Sequence, residues 1–162
     1  MHSHILPGID DGSPDIATSL RFVKSLAALG FNHSIATPHI YKELYPNNFE
    51  SISTGRQSLQ SAIDDAAISF KLESAAEYMV DQDFNLDSKL CSLQDKFLLI
   101  EMSYLNESPN IVQQIFNVEI KGYKPILAHP ERYIFYFKDQ SKLKLFKEKG
   151  DSCSQFRTKK KN

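Results

Sequence analysis

Residues 13–39, SPDIATSLRFVKSLAALGFNHSIATPH, decide how this chain folds. Ser13 offers an N-cap oxygen, Pro14 suits a first helical position that needs no N–H, and Asp15 places an acid in the first turn. Ile16, Leu20, Val23 and Ala27 then recur at helical spacing, and Gly30 stands where a C-cap is needed. Directly afterwards Phe31 to Thr37 contains the short run Ser34-Ile35-Ala36-Thr37, which predicts a buried strand stopping at Pro38-His39. The same order recurs from residue 108. Ser108-Pro109 opens a helix through Ile111, Ile115 and Val118, Gly122 closes it, and Tyr123 leads into a strand, Pro125 to Ala128, ending at His129-Pro130.

Between these units the pattern predicts a helix from about Glu50 to Ala67, a strand around Phe70 to Ala76 and a strongly apolar strand, Phe97 to Met102. Short apolar strands alternating with helices indicate parallel α/β architecture, in which functional groups gather at the carboxyl ends of strands. His39, Glu77, Glu101 and His129 fall at or near such ends. A third helix is expected from about Gln140 to Lys149, closing at Gly150. The following segment, DSCSQFRTKKKN, is too polar to join a parallel sheet and is expected to be a solvated tail.

A length of 162 residues suits one domain with a sizeable core. With 41% hydrophobic and 24% charged residues, the composition excludes long disorder and a collagen-like or disulfide-scaffold chain. No apolar run is long enough to cross a bilayer, so membrane insertion is not expected. The formal charge of -1 provides no bulk field for nucleic acid, and an anionic ligand needs a local site. Cys91 and Cys153 have no CxxC spacing, and neither precedes an arginine by six residues, which removes the Cys-x5-Arg phosphatase loop. Met1 to Leu6 lacks the pattern of a secretory signal, so a cytoplasmic location is expected.

His2 and His4 are two residues apart, so on a strand both imidazoles point to one face and can meet one metal. Leu6 to Gly12, LPGIDDG, is a tight acidic loop able to bring a carboxylate back over that strand end. Turn chemistry alone accounts for the glycine and one aspartate, but not for the two upstream histidines. Four of the five histidines, His2, His4, His39 and His129, join Glu77 and Glu101 at predicted strand ends. Any one of them alone is more often a satisfied polar group; the joint pattern favours mixed imidazole and carboxylate ligation, which suits Mn, Fe or Zn. His33 precedes its strand near a helix end and is expected to be an exposed or capping residue with no ligand role.

The segments HSHILPGIDDG (residues 2–12), Ala36-Thr37-Pro38-His39, Glu77-Tyr78, Ile100-Glu101 and Ala128-His129-Pro130-Glu131-Arg132-Tyr133 resemble the bacterial manganese-dependent tyrosine-protein phosphatases of capsular polysaccharide loci. These belong to the polymerase and histidinol phosphatase (PHP) superfamily, and the resemblance runs from residue 1 to about residue 150. It implies a distorted (βα)7 barrel with up to three manganese ions at the carboxyl ends of its strands. By the same resemblance His2 and His4 bind a first metal, which Glu77 bridges to a second held also by Glu101 and His129. Asp11 and His39 belong to the third. Arg132 corresponds to an arginine near the phosphate, where a planar donor fork suits bidentate recognition; a surface ion pair with Glu131 is the alternative. Clustered divalent metals offset phosphoryl charge, lower the pKa of bound water and stabilise the leaving phenolate, so no protein nucleophile is required.

The family has an aspartate and further strand residues ahead of the first histidine, and a late Ser-Asp-x-His segment that this sequence lacks. The expectation is therefore a partial barrel of about the first five strand units over residues 1–150, an unrelated lysine-rich tail over 151–162, and impaired activity. The partner implied is the phosphotyrosine tail of a capsule or exopolysaccharide tyrosine kinase. Alternatives are a PHP phosphoesterase acting on a small phosphate ester, or a non-catalytic metal-binding or kinase-binding remnant.

Overall fold

Asp15, rather than Ser13, caps the first helix in the computed structural model, which describes residues 2–86, 89–137 and 141. α1 runs Ile16–Ala28, and the extended Asp15 accepts from the Thr18 N–H at 2.7 Å. Ser13 is buried and receives a hydrogen bond from the Ser19 hydroxyl at 2.7 Å, so Pro14 lies ahead of the cap and not inside the helix. Gly30 adopts φ +89° and donates to the Ala27 carbonyl, which turns the chain into β1, His33–Ala36. His33 therefore opens this strand instead of preceding it.

β2 is His39–Ile40, and α2 spans Phe49–Asp65. A reciprocal capping box starts α2: Ser51 N–H donates to Asn48 Oδ1 at 2.9 Å and Asn48 N–H donates to Ser51 Oγ at 3.0 Å. The helix buries Ile52, Leu59 and Ile63. Its Gln60 side chain accepts from the Leu72 N–H at 2.8 Å and donates to the Phe70 carbonyl at 3.1 Å, docking the helix on β3, Lys71–Ser74. β4 is Glu77–Met79, β5 is Phe97–Glu101, α3 is Ile111–Ile120 and β6 is Lys124–Leu127. Two short 3-10 turns follow, Pro130–Arg132 and Ile134–Tyr136. Ser108-Pro109 forms a turn, and α3 begins only after Asn110, a left-handed residue at φ +60°, a region asparagine tolerates better than most.

All pairings among these strands are parallel, β1 with β3, and β2-β4-β5-β6 in one sheet. The strands expected at Ser34–Thr37 and around Phe70–Ala76 correspond to β1 and β3, and each is followed by a further short strand, β2 or β4, that the pattern does not predict, giving six strands in two sheets among the described residues. Pro38 has no N–H to give the ladder, and the chain re-enters pairing one residue later. Ala75 N–H to the Ala36 carbonyl at 2.8 Å and Glu77 N–H to the Pro38 carbonyl at 2.9 Å carry hydrogen bonding across the division. As a result His39 and Glu77 open β2 and β4, and only Glu101 sits at the last residue of its strand. Residues 2–5 form no ladder; Ser3 is tied only to the neighbouring pass, its carbonyl accepting from Thr37 N–H at 2.8 Å.

Leu6, Val23, Ile52, Leu59 and Ile63 fill the core together with Leu98, Ile100, Ile115 and Val118. Burying each of these contributes roughly 1.5–3 kcal/mol. Two phenols are sunk beside them to serve loop amides: Tyr133 Oη accepts from Met102 N–H at 3.1 Å, and Tyr78 Oη from Cys91 N–H at 2.7 Å. No helix among the described residues is long and apolar enough to cross a membrane. Apart from Ser141, the expected third helix over 140–149 and the tail over 151–162 lie outside the described residues.

Candidate metal centre

Glu77 is the hub of the site. β4 opens on it beside His39 of β2, its direct partner in register, and its side chain is 1% exposed. Oε1 lies 2.9 Å from His129 Nε2 and 3.4 Å from His2 Nε2; Oε2 lies 3.3 Å from His4 Nε2 and 3.4 Å from His39 Nδ1. Four imidazoles from three separate passes thus converge on one carboxylate. Glu101, at the end of β5, adds a second: its Oε1 is 2.6 Å from His39 Nδ1 and its Oε2 is 3.5 Å from His129 Nε2. Asp11 stands on the rim, 61% exposed, with Oδ1 3.5 Å from His39 Nε2 and 4.0 Å from His4 Nδ1.

Electrostatics explain why these groups tolerate one another. Burial favours neutral Glu77, but the imidazoles of His129, His2 and His4 beside it outweigh burial and hold the carboxyl far below its ordinary range. Burial likewise opposes charge on His4, yet Asp10 and Glu77 push its pKa up to about 10, and Glu101 and Glu77 push His129 up to about 9. Glu101 is lowered in the same way by His129 and His39. The cluster therefore holds buried anionic carboxylates whose charge is offset by protons on imidazoles, a job a divalent cation does with greater charge density.

The donor set fits such a cation. His39 Nδ1 and Glu77 Oε2 are buried without a hydrogen bond, although each has an opposite partner within 3.4 Å, because the groups are close but misaligned as donor and acceptor. Three sets of ligand atoms lie within 4.8 Å of one another: His2, His4 and Glu77; His4, Asp11 and His39; and His39, Glu77 and Glu101. Mixed nitrogen and oxygen donors of this kind suit Mn, Fe or Zn.

All seven sequence-derived ligand candidates, His2, His4, Asp11, His39, Glu77, Glu101 and His129, meet in this one region. Arg132 borders it, exposed, with Nη1 donating to Tyr104 Oη at 3.0 Å. His33 stays apart, 3.4 Å from Glu73 Oε2 and 42% exposed. His129 adopts φ +30° and ψ +52°, a left-handed backbone between β6 and the Pro130–Arg132 turn. Such a conformation costs about 1–3 kcal/mol and is kept where the surroundings enforce it.

Three supporting residues were not found from the sequence. Asp10, with a fully buried side chain, lies 2.7 Å from His4 Nδ1 and accepts from His39 N–H at 3.1 Å and Gly12 N–H at 3.0 Å. Thr37 Oγ1 is 2.5 Å from His2 Nδ1. Asn47 Nδ2 donates to the Ile9 carbonyl at 2.7 Å and the His39 carbonyl at 3.0 Å, clamping the acidic loop to β2. Adjacent aspartates in IDDG gave a signal for one carboxylate over the site but none for which of the two faces inward.

The family model described as capsular polysaccharide synthesis, CpsB/CapC, matches residues 1–155. The chain belongs to the CpsB/CapC family. Among CpsB/CapC relatives it is 31% identical over 137 residues to tyrosine-protein phosphatase YwqE of Bacillus subtilis (strain 168), covering 82% of this chain and 54% of that protein. It is 27% identical over 139 residues to tyrosine-protein phosphatase CpsB of Streptococcus pneumoniae, covering 82% and 56%. A solved chain from the crystal structures of those two proteins, described as unique metal-dependent tyrosine phosphatases, superposes with a TM-score of 0.83 at 30% identity, covering 92% of this chain and 62% of the other. The fold is thus the α/β architecture of these CpsB/CapC structures. The chain spans about half the length of the curated relatives it matches.

Proposed function

We propose that this chain works as a metal-dependent protein-tyrosine phosphatase, hydrolysing a phosphomonoester at the Glu77 cluster. The observation that carries the proposal is the meeting of His2, His4, His39 and His129 on the two oxygens of Glu77. Manganese is the metal proposed, held by His2, His4, Asp11, His39, Glu77, Glu101 and His129, within the first part of a PHP-type βα barrel over residues 1–150, with 151–162 as a separate lysine-rich segment. The substrate proposed is the phosphotyrosine tail of a capsule or exopolysaccharide tyrosine kinase, which places the reaction in the cytoplasm.

His2, His4, Asp11, His39, Glu77, Glu101 and His129 would hold the divalent cations, which would supply offset of phosphoryl charge and acidification of a water. The chain's own groups supply the rest. Asp10 fixes the His4 ring through Nδ1 and leaves Nε2 free to ligate, and Thr37 does the same for His2. The Arg132 guanidinium, steadied by Tyr104, keeps most of its donor fork for phosphate oxygens. Cys91 is buried, and burial pushes its thiol pKa up, so it does not serve as a thiolate nucleophile.

The test is metal analysis of the purified chain, paired with hydrolysis of a phosphotyrosine peptide with and without manganese. Manganese-dependent release of phosphate is expected, and Glu101→Ala should strip metal from a folded preparation while His33→Ala leaves it bound. Equal metal content in the two variants would show that the ligand assignment is wrong. Metal binding with no hydrolysis would leave a metal-binding protein and remove the phosphatase.

A further inference from the structure

Asp11 stands apart from the other candidate carboxylates. Its side chain is 61% exposed, whereas Glu77 is 1% and Glu101 3% exposed. The two ligand sets that contain Glu77 have a carboxylate shielded from water, and the set of His4, Asp11 and His39 does not. Attraction between a cation and a carboxylate falls as the effective dielectric rises, so the rim set holds a cation less strongly. It is also short of nitrogen. His4 turns Nε2 to Glu77 Oε2 at 3.3 Å and engages Asp10 through Nδ1 at 2.7 Å, so both of its ring nitrogens are already committed. His39 faces two ways: Nδ1 meets Glu101 and Glu77, and Nε2 looks outward to Asp11 Oδ1 at 3.5 Å. A cation at the rim therefore depends chiefly on Asp11 and His39 Nε2.

One side chain fixes those two residues relative to each other. Asn47 Nδ2 donates to the Ile9 carbonyl at 2.7 Å, two residues ahead of Asp11 in the acidic loop, and to the His39 carbonyl at 3.0 Å. Its Oδ1 accepts from the Ser51 hydroxyl at 3.0 Å, which anchors the clamp to the first turn of α2. The inner sets depend on this clamp far less. His2, Glu77 and Glu101 lie outside the acidic loop, and the His39 ring has holds of its own. It stacks on Tyr45, with ring centres 5.5 Å apart and planes 15° from parallel, and its Nδ1 is 2.6 Å from Glu101 Oε1.

We propose that the cluster fills in two stages, with the cation at the rim the exchangeable one, and that Asn47 is the positioning residue that sets its affinity. The inference rests on the manganese centre proposed above and adds an order of occupancy and the residue that governs it. At limiting metal the inner sets keep their cations while the rim loses its own, so a change in supply acts on the rim first.

Manganese titration of the metal-stripped full chain, followed by electron paramagnetic resonance of the free ion, counts bound ions and sorts them by affinity. A tight class and a weaker ion are expected, and Asp11→Ala, at an exposed side chain, should remove the weaker ion and spare the tight class. Asn47→Ala should weaken that ion about ten-fold, the scale expected when a group that orients a ligand is lost, and leave the tight class unchanged. Asn47→Ser, polar but too short to reach both carbonyls, should do the same and serves if the alanine variant fails to fold. Ser51→Ala is the contrast: it loosens the start of α2 but leaves both Nδ2 contacts, and should keep the weaker ion. A single affinity class in the unaltered chain, or a weaker ion indifferent to Asp11→Ala, would overturn the order of filling. A weaker ion unmoved by the Asn47 variants, weakening of both classes alike, or an equal loss in Ser51→Ala would overturn the role of Asn47. If no manganese binds, the metal centre itself falls, and not only its order of filling.

Discussion

Asp10 Oδ2 sits 2.7 Å from His4 Nδ1, while the opposite nitrogen of that ring faces Glu77 Oε2 at 3.3 Å. One carboxylate orients the imidazole and another shares what the imidazole binds. Groups that orient a ligand in this way are worth about 10- to 100-fold in metal affinity. Asp10→Asn should therefore weaken manganese binding by about that factor in a titration of the metal-stripped chain, although Asp10 is not among the proposed ligands. Unchanged affinity would mean that the His4 ring is held by packing alone.

Gly12 is required by contact. A Cβ there would lie 2.0 Å from the His4 carbonyl oxygen, which Ser13 N–H pins at 3.0 Å, and 2.4 Å from His4 Cβ. Gly12→Ala should push His4 off the cluster and lower both metal content and melting temperature. Gly55, inside α2, is the contrast: its added Cβ would meet Leu6 at an ordinary 3.8 Å. Gly55→Ala should raise stability by about 0.5–1 kcal/mol, since glycine in a helix interior costs that much relative to alanine. Paired thermal melts check both signs.

Tyr133→Phe removes one oxygen from a fully buried ring and leaves the Met102 N–H without its acceptor. An unsatisfied buried donor costs about 1–3 kcal/mol. For a chain of this size that corresponds to a fall of about 2–4 °C in Tm per kcal/mol. Because Met102 follows Glu101, the same variant should loosen the end of β5, read out as lower manganese affinity.

Loading the cluster should release protons. His4, held up to about 10, and His129, held up to about 9, carry protons at neutral pH in the metal-free chain, and a cation needs those nitrogens unprotonated. Metal affinity should then climb as pH rises towards 9 and weaken as it falls. Calorimetry in two buffers of different ionisation enthalpy measures the protons released; a heat independent of buffer would refute it.

Much of the site could be read from residue types because its members lie at the edges of apolar runs, where Pro38 and Pro130 stop the strand pattern beside His39 and His129. The passes themselves were foreseeable from Gly30 and Gly122, each adopting positive φ at a helix end. Capping was harder. Ser13 and Ser108 carry suitable side chains, but burial of Ser13 against Ser19 and the left-handed turn at Asn110 are settled by tertiary contacts that local pattern does not encode. The inward choice of Asp10 over Asp11 depends on amides of Gly12 and His39, one of them 29 residues away. Tyr45 and Tyr104 belong to loops, where nothing periodic marks a side chain as facing a site.

If the proposed cation binds, the spread of its donors along the chain would tie cellular metal supply to the lifetime of the protein. His2 belongs to the first segment, His39 and Glu77 to the middle, and His129 to the pass after α3. A cation gripping all four would act as a reversible staple across segments that are also joined by backbone pairing, core contacts and side-chain hydrogen bonds, and it would bind the folded chain in preference to the open one. Starvation or chelation would then raise the population of opened chains that proteases cut. The copy number of this protein would follow manganese availability without any change in its synthesis.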